Sequence, residues 1–165
     1  MKYFEPGDIL LADFDGVYID SQQRFLEVMK DEKSFILWME YLTSINWKYF
    51  LYECEEMLNA TDTFLELQEL NILKGFITRI HSFDEGREKG KFIRDKGLIV
   101  PIYYVLPKQP KSVVYMPDEH TILLDDNYDN AIDWEDNGGK SIIFDPTSKT
   151  ENKKLIKKLD SLLTR

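Results

Sequence analysis

At 165 residues, with 43% hydrophobic and 13% aromatic side chains, the chain is long enough to bury a core. It is short enough to be one domain, with room for an inserted subdomain. Its 21 basic residues against 30 acidic ones give a net charge of −9, an acidic surface that repels a nucleic-acid backbone and argues against a polymer substrate. The single cysteine, Cys54, excludes an internal disulfide and reads as a small buried hydrophobe on a helix; no Cys/His cluster suggests zinc. The first apolar run is too short for a signal-peptide core and nothing approaches a membrane-spanning length. The expectation is therefore a cytoplasmic protein with no membrane partner; a homodimer is compatible with the sequence, which does not decide it.

The first predicted element is a buried strand over Ile9 to Ala12. It ends in two carboxylates, Asp13 and Asp15, followed by Gly16. A period of two places Asp13 and Asp15 on the same side. Carboxylates are poor strand formers and costly to bury unpaired, so a pair at a strand end calls for a partner, most simply a metal ion; the alternative is a solvated turn. Asp20-Ser21 reads as a helix cap, with Phe25, Val28 and Met29 at helical spacing behind it. From there to about Leu70 the chain lacks proline and glycine and reads as two to four helices. Its aromatic residues are expected mainly as core, a minority as lining for a flat substrate group.

A second strand is predicted over Ile72 to Thr78, with Gly75 as a bulge or close approach, followed by a helix opened by Ser82-Phe83-Asp84-Glu85 and ended by Gly97. A third strand lies within Leu98 to Leu106, shortened by Pro101. A short helix or turn follows at Ser112 to Met116. Thr121 to Leu124 is the fourth strand and runs into Asp125-Asp126-Asn127. A helix over Asp129 to Glu135, a fifth strand over Ser141 to Phe144 and an amphipathic helix over Asn152 to Leu163 complete the reading, with the charges of Lys149 to Lys158 on that helix's wet face.

Strands alternating with helices argue an α/β fold, a Rossmann-like parallel sheet with helices on both faces. The helical block between the first two strands is too long for one crossover helix and reads as an inserted cap. The division is 1–17 and 71–165 for the core and 18–70 for the cap. Ligands of such sheets bind at the carboxyl ends of the strands. Three strands deliver polar groups to that edge: Asp13 and Asp15, then Thr78, then Asp125 and Asp126, with Lys108 or Lys111 in the loop after strand three. Two acidic clusters meeting there repel unless a divalent cation lies between them, and an all-oxygen donor set suits Mg²⁺.

Asp13-Phe14-Asp15-Gly16-Val17, Thr78, a lysine and Leu123-Leu124-Asp125-Asp126 resemble the four ordered motifs of the haloacid dehalogenase (HAD) superfamily, over essentially the whole chain and with the cap in the same place. Within it, the first motif, the small helical cap, Leu124 to Asn127, Trp134 to Gly139 and Ile142 to Asp145 look like the 5′(3′)-deoxyribonucleotidase group. Where that group typically has serine and proline after its threonine, this chain has Arg79-Ile80-His81.

The resemblance implies a Mg²⁺-dependent phosphomonoester hydrolase working through an aspartyl-phosphate, on a small phosphorylated substrate such as a nucleoside monophosphate. It makes Asp13 the nucleophile and Asp15 the general acid and base, and so expects surroundings that raise the Asp15 pKa. Thr78 and a lysine would hold the phosphoryl group. Alignment with the nucleotidases favours Lys111 over Lys108. The metal would rest on Asp13, the Asp15 backbone carbonyl, Asp125 and Asp126, and Gly16 and Arg79 are candidate substrate contacts. Departure from the dehalogenases lies in Asp15, an acid they lack at that position. The alternatives are a polynucleotide-end or sugar phosphatase of the same superfamily, or a non-catalytic binding protein that keeps the fold.

Overall fold

A computed structural model describes residues 1–28, 41, 42, 44–149, 152 and 154–164. In chain order the elements are β1 (Ile9–Ala12), α1 (Ser21–Val28), α2 (Trp47–Glu53), α3 (Ala60–Glu69), β2 (Leu73–Arg79), α4 (Phe83–Asp95), β3 (Ile102–Val105), β4 (Thr121–Asp125), α5 (Tyr128–Asp136), β5 (Lys140–Phe144) and β6 (Leu155–Ile156). Two short 3₁₀ helices lie at Lys111–Val113 and Leu159–Leu163. Met29, Phe35, Ile36, Trp38 and Met39, expected as helical, fall outside the described residues.

All strand pairs are parallel, in the order β3-β2-β1-β4-β5-β6. The expected α/β parallel sheet is therefore the fold. β1 is central because Leu10, Leu11 and Ala12 have no polar side chain to keep wet, and all three are fully buried. Alternation sends them to opposite faces. Leu10 and Ala12 join the larger core with Phe64 of α3, Phe76 of β2 and Phe92 of α4. Leu11 joins the smaller core with Ile77 of β2, Leu123 of β4 and Trp134 of α5. Helices thus cover both faces. Between Leu10 and Leu11 the pairing with β2 slips by one residue, placing the expected irregularity just before Gly75.

The helix caps follow their sequence signals. The Asp20 carboxylate accepts from the Gln23 N–H at 2.9 Å, Ser82 Oγ from the Glu85 N–H at 3.1 Å, and Asn127 Oδ1 from the Asp129 N–H at 2.8 Å. Among the described residues between β1 and β2 the aromatic side chains are chiefly core, with Tyr49 and Tyr52 exposed. Tyr18 packs with ring centroids 5.6 Å from both Phe64 (tilted) and Phe76 (edge-on), and Phe25 packs at 4.4 Å on Phe50. Cys54, buried at the end of α2, donates its thiol to the Phe50 carbonyl, and burial pushes its pKa up to about 12. No helix among the described residues is long and apolar enough to cross a membrane.

One predicted element is overturned. The expected helix over Asn152 to Leu163 is a sixth strand followed by a 3₁₀ turn. Leu155 and Ile156 pair with Ile143 and Phe144 of β5, and Leu159 and Leu162 turn into the core. Apolar residues at 155, 156, 159 and 162 satisfy a helical period, but the open edge of β5 offers backbone partners that a helix would leave unpaired. Of that charge run, Lys154, Lys157 and Lys158 accordingly flank an edge strand and are not on a helix face.

Candidate active site

Placing β1 next to β4 creates a topological switch point, since the chain leaves β1 toward β2 on one side and returns to β4 on the other. Ala12 is opposite Leu124, and the Asp13 N–H donates to the Leu124 carbonyl at 2.8 Å. The residues that follow, Asp13 and Asp125, consequently emerge side by side. Carboxylate oxygens of Asp13, Asp125 and Asp126 all lie within 4.8 Å of one another.

Lys111 bridges the first two. Its Nζ is 2.8 Å from Asp13 Oδ2 and 2.6 Å from Asp125 Oδ2, and its side chain is only 1% exposed. The 3₁₀ turn at Lys111–Val113 delivers it there, with Ser112 Oγ donating to Asp133 of α5 at 2.6 Å. Lys108 is exposed, and no ion pair joins it to the cluster among the described residues. The remaining oxygens are also held. Asp13 Oδ1 accepts from the Phe14 N–H at 2.7 Å, and Asp125 Oδ1 from the Asn127 N–H at 2.9 Å. Asn130 Nδ2, on the first turn of α5, reaches both Asp125 oxygens at 3.1 Å.

Charge crowding shows in the proton affinities. Burial, opposed by Lys111 but reinforced by the charges of Asp125 and Asp15, holds the Asp13 carboxyl well above the ordinary carboxylate range. Desolvation at the pocket wall and repulsion from Asp125 push Asp126 up to about 6. Asp13, Asp125 and Asp126 together offer an all-oxygen donor set with more negative charge than Lys111 alone balances, and a divalent cation fits that set.

Asp15 stands differently. Burial raises its pKa, but the Lys89 ammonium, at 2.5 Å from Asp15 Oδ2, and hydrogen bonds from Ser21 and Thr78 outweigh this and bring it below the ordinary range. The expectation that its surroundings raise the Asp15 pKa is thus corrected: the neighbour that decides is a lysine on α4. Thr78 Oγ1 donates to Asp15 Oδ2 at 3.2 Å. The Asp15 carboxylate points to Lys89 and Thr78 and lies outside the Asp13–Asp125–Asp126 group, so only its backbone carbonyl is left as the metal contact expected of it.

These side chains open into a cavity of about 290 Å³. Its walls include Gly16, Phe25, Arg79, His81, Asp126 and Asn130. Arg79 donates Nη2 to the Gln109 carbonyl at 3.2 Å, while its buried Nε has no partner, leaving a donor aimed at nothing in the protein. His81 is tethered, its N–H donating to Glu85 Oε2 at 2.7 Å. Gly16 has φ of +75°, and a Cβ there would sit 2.1 Å from Asp126 Oδ2. Gly16→Ala is therefore expected to displace Asp126 as well as strain the turn, costing about 1–2 kcal/mol of stability. Calorimetric titration with Mg²⁺ should show affinity weakened at least about tenfold; unchanged affinity would remove Asp126 from the metal set.

Sequence reasoning brought forward Asp13, Asp15, Gly16, Thr78, Arg79, Lys111, Asp125 and Asp126, and all eight lie at this edge or line its cavity. It missed Lys89, Glu85 and Asn130. The spacing of Asn130 from the Asn127 cap, one turn into α5, was the available signal for the last.

No protein-family model matches the sequence, and no curated protein matches it. Solved structures do. A HAD-superfamily hydrolase from Ehrlichia chaffeensis superposes with a TM-score of 0.59 at 13% identity, covering 93% of each chain. A subfamily IA, variant 1 hydrolase from Geobacter sulfurreducens gives 0.60 at 12% identity over 94% of each chain. A family IA, variant 3 HAD hydrolase from Entamoeba histolytica gives 0.54 at 12%, covering 93% of this chain and 94% of its own. This chain has the fold of the HAD-superfamily hydrolases, with its acidic cluster at the switch point of the sheet.

Proposed function

We propose that the protein is a Mg²⁺-dependent phosphomonoesterase that works through an aspartyl-phosphate on Asp13, with a nucleoside monophosphate as substrate. The observation that carries this reading is the buried Lys111 bridging Asp13 and Asp125 beside Asp126. A solvated turn or a released binding site would have no need to bury a lysine between two carboxylates.

Asp13, Asp125 and Asp126, with the Asp15 carbonyl, would hold Mg²⁺. Bound there, the ion supplies positive charge that offsets repulsion between a carboxylate nucleophile and an anionic phosphate. Asp13 Oδ attacks phosphorus in line, forming one P–O bond as the bond to the leaving oxygen breaks. Lys111 fixes the Asp13 carboxylate and takes up phosphoryl charge; the Thr78 hydroxyl and the free Arg79 Nε donate to phosphoryl oxygens. To act on the leaving oxygen, Asp15 must first take up a proton, which the negative charge of a bound phosphate favours against the pull of Lys89; it would then pass that proton on and later take one from the water that releases phosphate. The small residue at Gly16 lets the turn approach the phosphate.

The nucleotide assignment follows the resemblance of the motifs to the 5′(3′)-deoxyribonucleotidase group, and Phe25 adds apolar surface to the cavity wall. We assign the cap within residues 18–70: Tyr18, Ile19 and α3 pack into the core beside the sheet, so the part proposed to close over the site begins with α1 and ends before α3. The expected location is cytoplasmic.

The test is release of inorganic phosphate from a panel of deoxynucleoside and ribonucleoside monophosphates, sugar phosphates and an aryl phosphate, with Mg²⁺ and with chelator. Release strongest on nucleoside monophosphates and lost with chelator is the expected result. Release from sugar phosphates alone discards the nucleotide assignment. No release from any ester by folded protein discards the phosphatase.

A further inference from the structure

Lys89 is a fully buried lysine in the middle of α4, and the chemistry so far makes no use of it. Its Nζ reaches Asp15 Oδ2 at 2.5 Å, Glu85 Oε1 at 2.8 Å, the Arg79 carbonyl at 2.9 Å and Thr78 Oγ1 at 3.1 Å. An ammonium taken out of water is tolerated only with such a complete set of partners. Two of the four are side-chain groups assigned to the reaction, the Asp15 carboxylate and the Thr78 hydroxyl. The other two are its anchors: a β2 carbonyl and a glutamate one helical turn earlier.

The helix is built to deliver it. Glu85 is itself pinned, since its Oε2 accepts the His81 N–H and its own N–H is capped by Ser82. Gly86 and Gly90 stand one turn apart, and a Cβ at either would come within 3.3 Å or 3.0 Å of Tyr104. The Tyr104 hydroxyl donates to the Gly86 carbonyl at 2.7 Å in the space they leave. Any larger side chain at these two positions would lift α4 from β3 and draw the lysine away from the strand ends.

We infer that Lys89, anchored by Glu85, is a positioning residue for the proposed hydrolysis: it holds the Asp15 carboxylate and the Thr78 hydroxyl in one fixed arrangement against the substrate. Lys89 and Lys111 then divide the labour. Lys111 serves the nucleophile Asp13, and Lys89 serves the proton-transfer group two residues on. The inference rests on the phosphatase reading, and its test separates the two.

The variant is Lys89→Met, which keeps length and removes the charge and the donors. The quantity measured is kcat/KM, which reports the step that breaks the ester bond, for an alkyl phosphomonoester and for 4-nitrophenyl phosphate. An alkoxide needs a proton to leave and nitrophenolate does not. A misplaced Asp15 should thus cost the alkyl ester about 100-fold and the aryl ester less than about tenfold. Equal losses on both esters, or losses below about threefold on both, overturn the inference, because loosening of the core lowers both alike. If Lys89→Met does not fold, Glu85→Gln loosens the anchor while leaving Lys89 in place, and the same unequal pattern at smaller size is expected; equal effects overturn the inference. If the wild type hydrolyses neither ester, the phosphatase reading falls. The positioning role is then judged from crystal structures of wild type and variant: an Asp15 carboxylate that turns away from Thr78 in the variant supports it, and an unmoved carboxylate overturns it.

Discussion

Asp13→Asn should abolish phosphate release, with kcat reduced at least about 10⁴-fold, while the protein remains folded. Asparagine keeps the shape of the side chain and the carbonyl oxygen that accepts the Phe14 N–H. It removes a charge that Asp125 and Asp15 repel, and it takes away one of the two carboxylates that Lys111 pairs with. These changes oppose each other, so thermal unfolding should place the variant within about 1 kcal/mol of the wild type. The neutral amide oxygen also lacks the negative charge that makes a carboxylate nucleophilic toward phosphorus, so the effect on chemistry is out of proportion to the effect on stability. Turnover above about 1% of wild type in the purified variant would sink the assignment of Asp13 as nucleophile.

Removing Lys111 should hurt both chemistry and fold. Lys111→Ala leaves Asp13 and Asp125 buried and facing each other with no cation between them. Breaking a buried pair in this way costs about 3–5 kcal/mol, read as a lower denaturation midpoint. Loss of a preorganised charge on the phosphoryl group should cost about 10²–10³ in kcat. Saturating Mg²⁺ should recover part of the stability but not the rate, because a cation between the carboxylates replaces the neutralising charge and not the ammonium's contact with the phosphate. Lys108→Ala, in an exposed loop, should change neither by more than about twofold or 0.5 kcal/mol. The reverse order of the two variants would mean that the loop presents the other lysine to substrate.

Much of this site could be read before the fold was seen, because strand ends punctuated by polar residues are local signals. Ile9 to Ala12 followed by Asp13 and Asp15, and Thr121 to Leu124 followed by Asp125 and Asp126, each announce a buried strand that stops at an acidic edge. Both strands are buried in a sheet covered on both faces, and the pairing of β1 with β4 brings the two acidic ends together. The caps Asp20 and Ser82 were legible for the same reason: a cap acts within three residues of itself.

The last segment was not legible. The apolar residues at 155, 156, 159 and 162 fit a helix and fit a short strand plus turn equally well. The free edge of β5, which no local pattern records, selects between them. Glu85 and Lys89 give the sharpest case. One turn apart on a helix, they carry the signature of a solvent-exposed ion pair worth a few tenths of a kcal/mol. Burial turns the same pair into the anchor of a proton-transfer group. What the sequence alone determined was the succession of the first five strands along the chain, their ends and the acids placed there, all set by short-range alternation and capping. What the tertiary structure decided was which lysine meets which carboxylate, because charge partners at the switch point come from elements up to 74 residues apart. Their meeting depends on how closely α4 and the Lys111 turn pack against the sheet.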